Sequence, residues 1–168
     1  MYKRQLEKLF NQLISLKNQL HLEKEELLST LILGIFDQSE KRLDLITIGD
    51  GLVAANGVIY EYEQEDKPDY LGYHLSENFE AWYDVQTQKL ELKNISNFTL
   101  STDGIFTFKN FDGQNYPTIS ESEILNLLLL SNEENKVENL LSKKMLKIEK
   151  KYGLKPSDDL TMIQVVLF

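Results

Sequence analysis

Three aspartates stand where apolar runs of the sequence end. Asp50 lies in Ile48-Gly49-Asp50-Gly51, Asp103 in Leu100-Ser101-Thr102-Asp103-Gly104-Ile105, and Asp158 in Ser157-Asp158-Asp159-Leu160-Thr161. A carboxylate at the end of a strand is held by the backbone before it, and a glycine after it lets the chain turn sharply and lets a ligand approach the main chain. Carboxylates that converge from different strand ends repel one another unless a cation neutralises them. Hard oxygens with retained water suit Mg²⁺ or Mn²⁺. Two such ions can generate a hydroxide nucleophile and stabilise an in-line displacement at phosphorus. Each motif also has a plain structural reading, because Asp-Gly and Ser-Asp-Asp are common turn chemistry, and spacing alone does not bring the three together.

Little else in the chain competes as a chemical site. There is no cysteine, which removes disulfides, thiolate metal sites and cysteine nucleophiles. His21 sits in a helical pattern and reads as a surface or boundary residue. His74 stands in an acidic region and reads as a hydrogen-bonded structural residue, since no second histidine lies at ligand spacing. No Ser-His-Asp order, nucleophile elbow, Gly-rich phosphate loop or dinucleotide fingerprint is present. The net charge of −9, with Arg4 and Arg42 as the only arginines, argues against a nucleic-acid partner. The opening residues are amphipathic rather than a signal peptide, and no apolar run is long enough to span a bilayer. A cytoplasmic location, with no membrane partner, is the expectation.

The elements that must position the aspartates can be read from periodicity. Leu6, Leu9, Phe10, Leu13, Ile14, Leu16, Leu20 and Leu22 predict a helix over 2–28. Thr30 to Phe36 and Leu43 to Ile48 predict a β-hairpin. Leu52 to Ala55 and Val58 to Tyr62 flank Asn56-Gly57, a strong two-residue turn signal, so 29–62 reads as one antiparallel meander. Residues 63–79 read as a loop with a short strand at Tyr70 to Tyr73. Glu80 to Val85, Lys89 to Leu92 and Asn97 to Ser101 read as strands, and 105–119 as irregular. Ser120 to Leu130 and about 134–151 read as helices, the first capped by Ser120 or Ser122 and the second ended by Gly153. Residues 156–159 form a turn before a last strand, Leu160 to Phe168. Phe79, Trp82 and Tyr83 are expected to pack a core or an interface, and the lysines from Lys143 to Lys151 to form an outer helix face. The order of elements predicts a single α+β domain over 1–168, an antiparallel sheet or β-sandwich flanked by helices.

Four segments, in order, resemble the later motifs of the protein phosphatase 2C family. They are Thr30-Leu31-Ile32-Leu33-Gly34, Ile48-Gly49-Asp50-Gly51, Leu100-Ser101-Thr102-Asp103-Gly104-Ile105 and Asp158-Asp159-Leu160-Thr161-Met162-Ile163. The resemblance covers about 28–168. It implies a two-sheet sandwich flanked by helices, with Asp103 and Asp158 as ligands of a core Mg²⁺ or Mn²⁺ site and Asp50 at an accessory one. It implies hydrolysis of phosphoserine or phosphothreonine in a protein substrate, with no phospho-enzyme. The family's earlier acidic pair and its Asp-Gly-x-x-Gly turn are absent, so the N-terminal strands are expected to be missing. No arginine stands in the context of the family's phosphate-binding arginine, and position 107, often a further aspartate, is threonine. This chain alone is therefore expected to be inactive. The alternative is a non-catalytic pseudophosphatase that serves as a regulatory or homodimerising binding module.

Overall fold

The structure is a computed structural model, and it describes residues 2–64, 68–129 and 140–167. The chain forms two compact units, Met1–Gly51 with Glu61–Ile95 and Leu52–Tyr60 with Ser96–Phe168. Each is α+β, with antiparallel strands and helices packed on them.

In the first unit, helix α1 spans Lys3–Leu20. It stops short of the predicted end because His21 turns into the left-handed region, φ 55°, and donates its N–H back to Lys17 O. That cap is normally a glycine signal, which is why the sequence hides it. Glu23 and Glu26 then exchange hydrogen bonds and open a short 3₁₀ turn, Lys24–Leu27. Strands β1 (Leu31–Asp37) and β2 (Arg42–Ile48) pair as the expected hairpin, with Gly34 opposite Leu45. The far edge of β2 pairs with the strand Lys89–Leu92.

Two expectations fail here. Residues 80–85 are helix, not strand: α2 spans Phe79–Val85, and the Asn78 side chain caps it by accepting from Ala81 N–H at 3.1 Å. Phe79, Trp82 and Tyr83 recur at helical spacing, so one face of that helix is aromatic. Residues 70–73 are likewise not strand but lead into a 3₁₀ turn, Leu71–His74. The core of this unit joins Leu6 and Phe10 of α1, Ile46 and Ile48 of β2, Leu71 and Leu75, and Phe79 and Trp82 of α2. The rings of Phe10 and Phe79 meet edge-on at 5.4 Å, a favoured aromatic geometry. The aromatic cluster is thus core.

The second unit holds a four-stranded sheet. Numbering continues with β3 (Gly51–Ala55), β4 (Val58–Tyr62), β5 for the Lys89–Leu92 strand, β6 (Asn97–Ser101) and β9 (Met162–Val166); the order is β4-β3-β6-β9. The predicted meander over 29–62 therefore divides between two sheets. The division falls at Gly49-Asp50-Gly51, where Gly49 takes φ +88°, a conformation that L side chains rarely adopt. Asn56-Gly57 makes the expected tight turn, with φ +49° and +83°. The Asn56 side chain fastens this turn to β6 by accepting from Ser96 N–H at 2.8 Å and Ser96 Oγ at 2.9 Å. A two-stranded ribbon pairs β7 (Phe108–Asn110), within the stretch expected to be irregular, with β8 (Leu154–Pro156), leading into the expected turn.

Helix α3 spans Glu121–Leu129 and begins with a reciprocal cap, Ser120 N–H to Glu123 Oε2 at 2.9 Å and Glu123 N–H to Ser120 Oγ at 3.3 Å. Helix α4 spans Leu140–Tyr152; the predicted start of that helix, 134–139, lies outside the described residues. Leu52, Ile105, Leu125, Leu128 and Ile148 form the centre of this unit's core. One lysine of the expected outer face is buried instead. Lys144 donates to Leu128 O at 2.6 Å, a cation against the C-terminal carbonyls of α3. Burial pulls its ammonium below the ordinary lysine range.

Candidate functional site

Strand β6 ends at Ser101 and delivers Asp103 as the first residue of a 3₁₀ turn, Asp103–Phe106. Strand β9 begins at Met162, directly opposite Ser101, so the chain just before it, which carries Asp158, must run beside that turn. The two segments are laced together. Thr102 N–H donates to Thr161 O at 3.0 Å, and Thr161 N–H donates to Thr102 Oγ1 at 3.0 Å. The Thr102 hydroxyl in turn donates to Asp159 O at 3.0 Å. At the other end of the turn, Thr107 Oγ1 accepts from Ser157 N–H and Asp158 N–H, both at 3.2 Å, and donates to Gly104 O at 3.0 Å. Ser157 N–H also donates to Thr107 O at 2.9 Å.

Gly104 has a different purpose from the one its Asp-Gly setting suggests. A Cβ there would stand 2.5 Å from Asp159 O and 2.8 Å from its carbonyl carbon. The backbone that approaches this glycine is the protein's own, the segment that bears Asp158. No positive φ is involved.

The structure thus brings together the backbone segments of Asp103 and Asp158 and places Asp50 in the other unit. Asp103 is half-buried and Asp158 is exposed. One Asp158 oxygen accepts from Asp159 N–H at 2.7 Å. Asp50 follows the Gly49 turn and is half-buried, with Oδ1 shielded from solvent. The donors offered by Asp103 and Asp158 are hard oxygens, which suit Mg²⁺ or Mn²⁺. Such ions keep several waters and are held by as few as one or two carboxylates. Among the described residues, no three Asp, Glu or His side chains lie close enough to hold a metal ion.

His74 makes a separate polar cluster. Its Nε2 lies 2.6 Å from Asp69 Oδ1 and its Nδ1 2.9 Å from Glu77 Oε1, with the ring tilted 5.7 Å from Trp82. Carboxylates only accept hydrogen bonds, so both ring nitrogens must carry a proton. Burial lowers the imidazole pKa and is the largest single effect. The hydrogen bonds and charges of Asp69 and Glu77 together outweigh it, and the pKa stands above the ordinary histidine range. Arg42 is turned to a partner within its own strand, with Nε 3.3 Å from Asp44 Oδ2. It lines a cavity of about 430 Å³ with Tyr2, Asp44, Tyr83 and Lys89.

Residues 3–146 match the family model described as Protein phosphatase 2C. The chain belongs to the protein phosphatase 2C family. Among solved structures it is similar to the phosphatase domain of the cell fate determinant SpoIIE from Bacillus subtilis. That likeness has 16% identity and a TM-score of 0.47, over 99% of this chain and 73% of that one. No curated protein matches it. The matched residues include the first three of the four motif segments read from the sequence. Among the described residues no helix is long and apolar enough to cross a membrane.

What the sequence does not reveal is the pair of threonines. Thr102 and Thr107 bracket the Asp103 turn, and their hydroxyls do the fastening. A hydroxyl just before and four residues after an aspartate is the only signal, and it is common in turns.

Proposed function

We propose that this protein phosphatase 2C chain contributes to Mg²⁺- or Mn²⁺-dependent hydrolysis of phosphoserine or phosphothreonine in proteins, and that it turns over little or nothing by itself. The observation that carries this reading is the lacing of the Asp103 turn to the Asp158 segment, which puts two aspartates on adjoining, hydrogen-bonded stretches of backbone. Asp103 and Asp158 would hold the cation, and Asp50 would serve an accessory position. The chemistry such a cation supplies when bound is polarisation of a phosphoryl oxygen and a more acidic water. Asp103 and Asp158 place that chemistry at the end of β6 and β9. With no third acid or histidine close enough among the described residues, the cation is held loosely and turnover is poor. The phosphoprotein is the expected partner.

The test is a phosphopeptide assay with Mn²⁺ beside a calorimetric Mn²⁺ titration. Weak binding that disappears in D103N and D158N, with negligible turnover, is expected. Robust turnover by this chain alone would contradict the expected poor turnover, and the absence of any Mn²⁺ binding would contradict the metal role.

The same lack of a three-residue metal cluster among the described residues favours a second reading, a non-catalytic regulatory or homodimerising module. Strands β4 and β9 are the edges of their sheet, and Val58, Ile59 and Ile163 on them are exposed. Edge strands with apolar side chains invite pairing with another chain. Sedimentation separates the readings: a stable dimer without Mn²⁺ binding supports the second.

A further inference from the structure

We infer that Thr107, with Thr102 at the other end of the same turn, is a positioning residue that sets where the Asp158 carboxylate stands relative to Asp103. The inference rests on the proposed role of those aspartates as cation ligands. Each hydroxyl is used as both donor and acceptor through a single oxygen atom. Thr107 Oγ1 gives its proton to Gly104 O at 3.0 Å, which aims its lone pairs at the N–H groups of Ser157 and Asp158, both 3.2 Å away. Thr102 Oγ1 gives its proton to Asp159 O at 3.0 Å and accepts from Thr161 N–H at 3.0 Å. The Asp158 backbone is therefore held on both sides, at 157–158 and at 159–161, by one short turn that begins with Asp103.

The residue type matters as well as the position. An aspartate at 107 could accept from the same two amides, but once ionised it has no proton for Gly104 O. It would also add a third negative charge beside two carboxylates. Valine has the shape of threonine without the hydroxyl, so T107V isolates the hydrogen bonds. Serine keeps the hydroxyl, so T107S controls for folding and packing.

Two readouts, neither of them turnover, test the inference: Mn²⁺ affinity by calorimetry, and amide exchange at Ser157 and Asp158 by NMR without metal. T107V is expected to bind Mn²⁺ about 10-fold more weakly, the lower end for loss of a group that orients a metal ligand. The Asp158 amide is expected to lose protection in the same variant, while Ser157 N–H keeps its main-chain acceptor Thr107 O, and T107S is expected to behave like the natural protein in both readouts. T102V is expected to weaken Mn²⁺ in the same direction. Unchanged exchange at Asp158 in T107V, or T107V binding Mn²⁺ as tightly as the natural protein, overturns the inference. If the natural protein itself binds no Mn²⁺, the ligand reading falls and the positioning role falls with it. That outcome is distinguishable because the failure then appears before any substitution is made.

Discussion

Replacing Gly104 by alanine tests whether the Asp103 turn is seated against the Asp158 segment. Gly104 has no positive φ, and it lies in a 3₁₀ turn. On backbone grounds alone, Gly→Ala there should stabilise the protein by about 0.7 kcal/mol, through lost freedom in the unfolded chain. The packing reverses the sign. The new methyl would lie 2.5 Å from Asp159 O, 2.8 Å from Asp159 C and 3.1 Å from Leu160 Cα. All three are backbone atoms of a segment fastened by both threonine hydroxyls, so no side chain can swing aside. Overpacking of this kind costs about 3 kcal/mol, the upper end of its usual range. The net expectation is a loss of about 2 kcal/mol, or about 4–8 °C in Tm for a chain of this length. Thermal and urea unfolding of G104A measure it, with amide exchange at Ser157 and Asp158 showing where the strain falls. An unchanged or raised Tm would refute the close approach, and with it the physical basis for pairing the two aspartates.

Other outcomes follow from the same structure. The raised pKa of His74 means that the folded state holds its proton more tightly than the unfolded chain. That stability is fully present below the unfolded histidine value of about 6.5 and is lost as pH rises through the folded pKa. H74Q should therefore destabilise more at pH 6 than at pH 9, and parallel stability curves for the two proteins across that range would contradict the clamp. Asn56→Ala removes the acceptor for Ser96 N–H and Ser96 Oγ at a position with φ +49°, and should cost about 2 kcal/mol by urea unfolding; a loss under about 0.5 kcal/mol would rule out that fastening. A chelator should leave Tm unchanged, whereas Mn²⁺ at ten times its dissociation constant should add about 1.4 kcal/mol by mass action; a fall in Tm on chelation would reveal a resident ion.

What could be read from the sequence was whatever is encoded locally. Asn56-Gly57 announces its turn because few residue pairs tolerate two positive φ angles. The strands β1, β2, β5, β6 and β9 announce themselves through short apolar runs between polar turns. Three features escaped for identifiable reasons. Helix α2 has only seven residues, too short for a period of 3.6 to declare itself against strand alternation. Helix α1 ends on a histidine, which has no cap signature. The passage from the first sheet to the second at Gly49-Asp50-Gly51 looks like any hairpin turn, because a turn's residues do not say which sheet the next strand joins. Of the candidate site, the residue types and their strand-end settings were legible in Asp50, Asp103 and Asp158. The contact between the Asp103 turn and the Asp158 segment was not. It follows from the β6–β9 pairing, which joins residues far apart in the chain.

That pairing also bears on how a protein with net charge −9 keeps two carboxylates on adjoining segments. Carboxylates brought near one another favour an open backbone, and a protein that relied on the cation to close it would lose the site whenever the ion left. Here the closing force is neutral: two hydroxyls, each a donor and an acceptor, and a glycine that admits the opposing main chain. Each hydrogen bond is worth about 1 kcal/mol net and does not weaken with salt as surface ion pairs do. On the proposed reading, the binding energy of a cation would be free to act on its ligands and waters, because the hydrogen bonds already order the loop. A threonine at position 107 is intelligible on these terms. Its hydroxyl holds the Ser157 and Asp158 amides while donating to Gly104 O, which an ionised aspartate could not do.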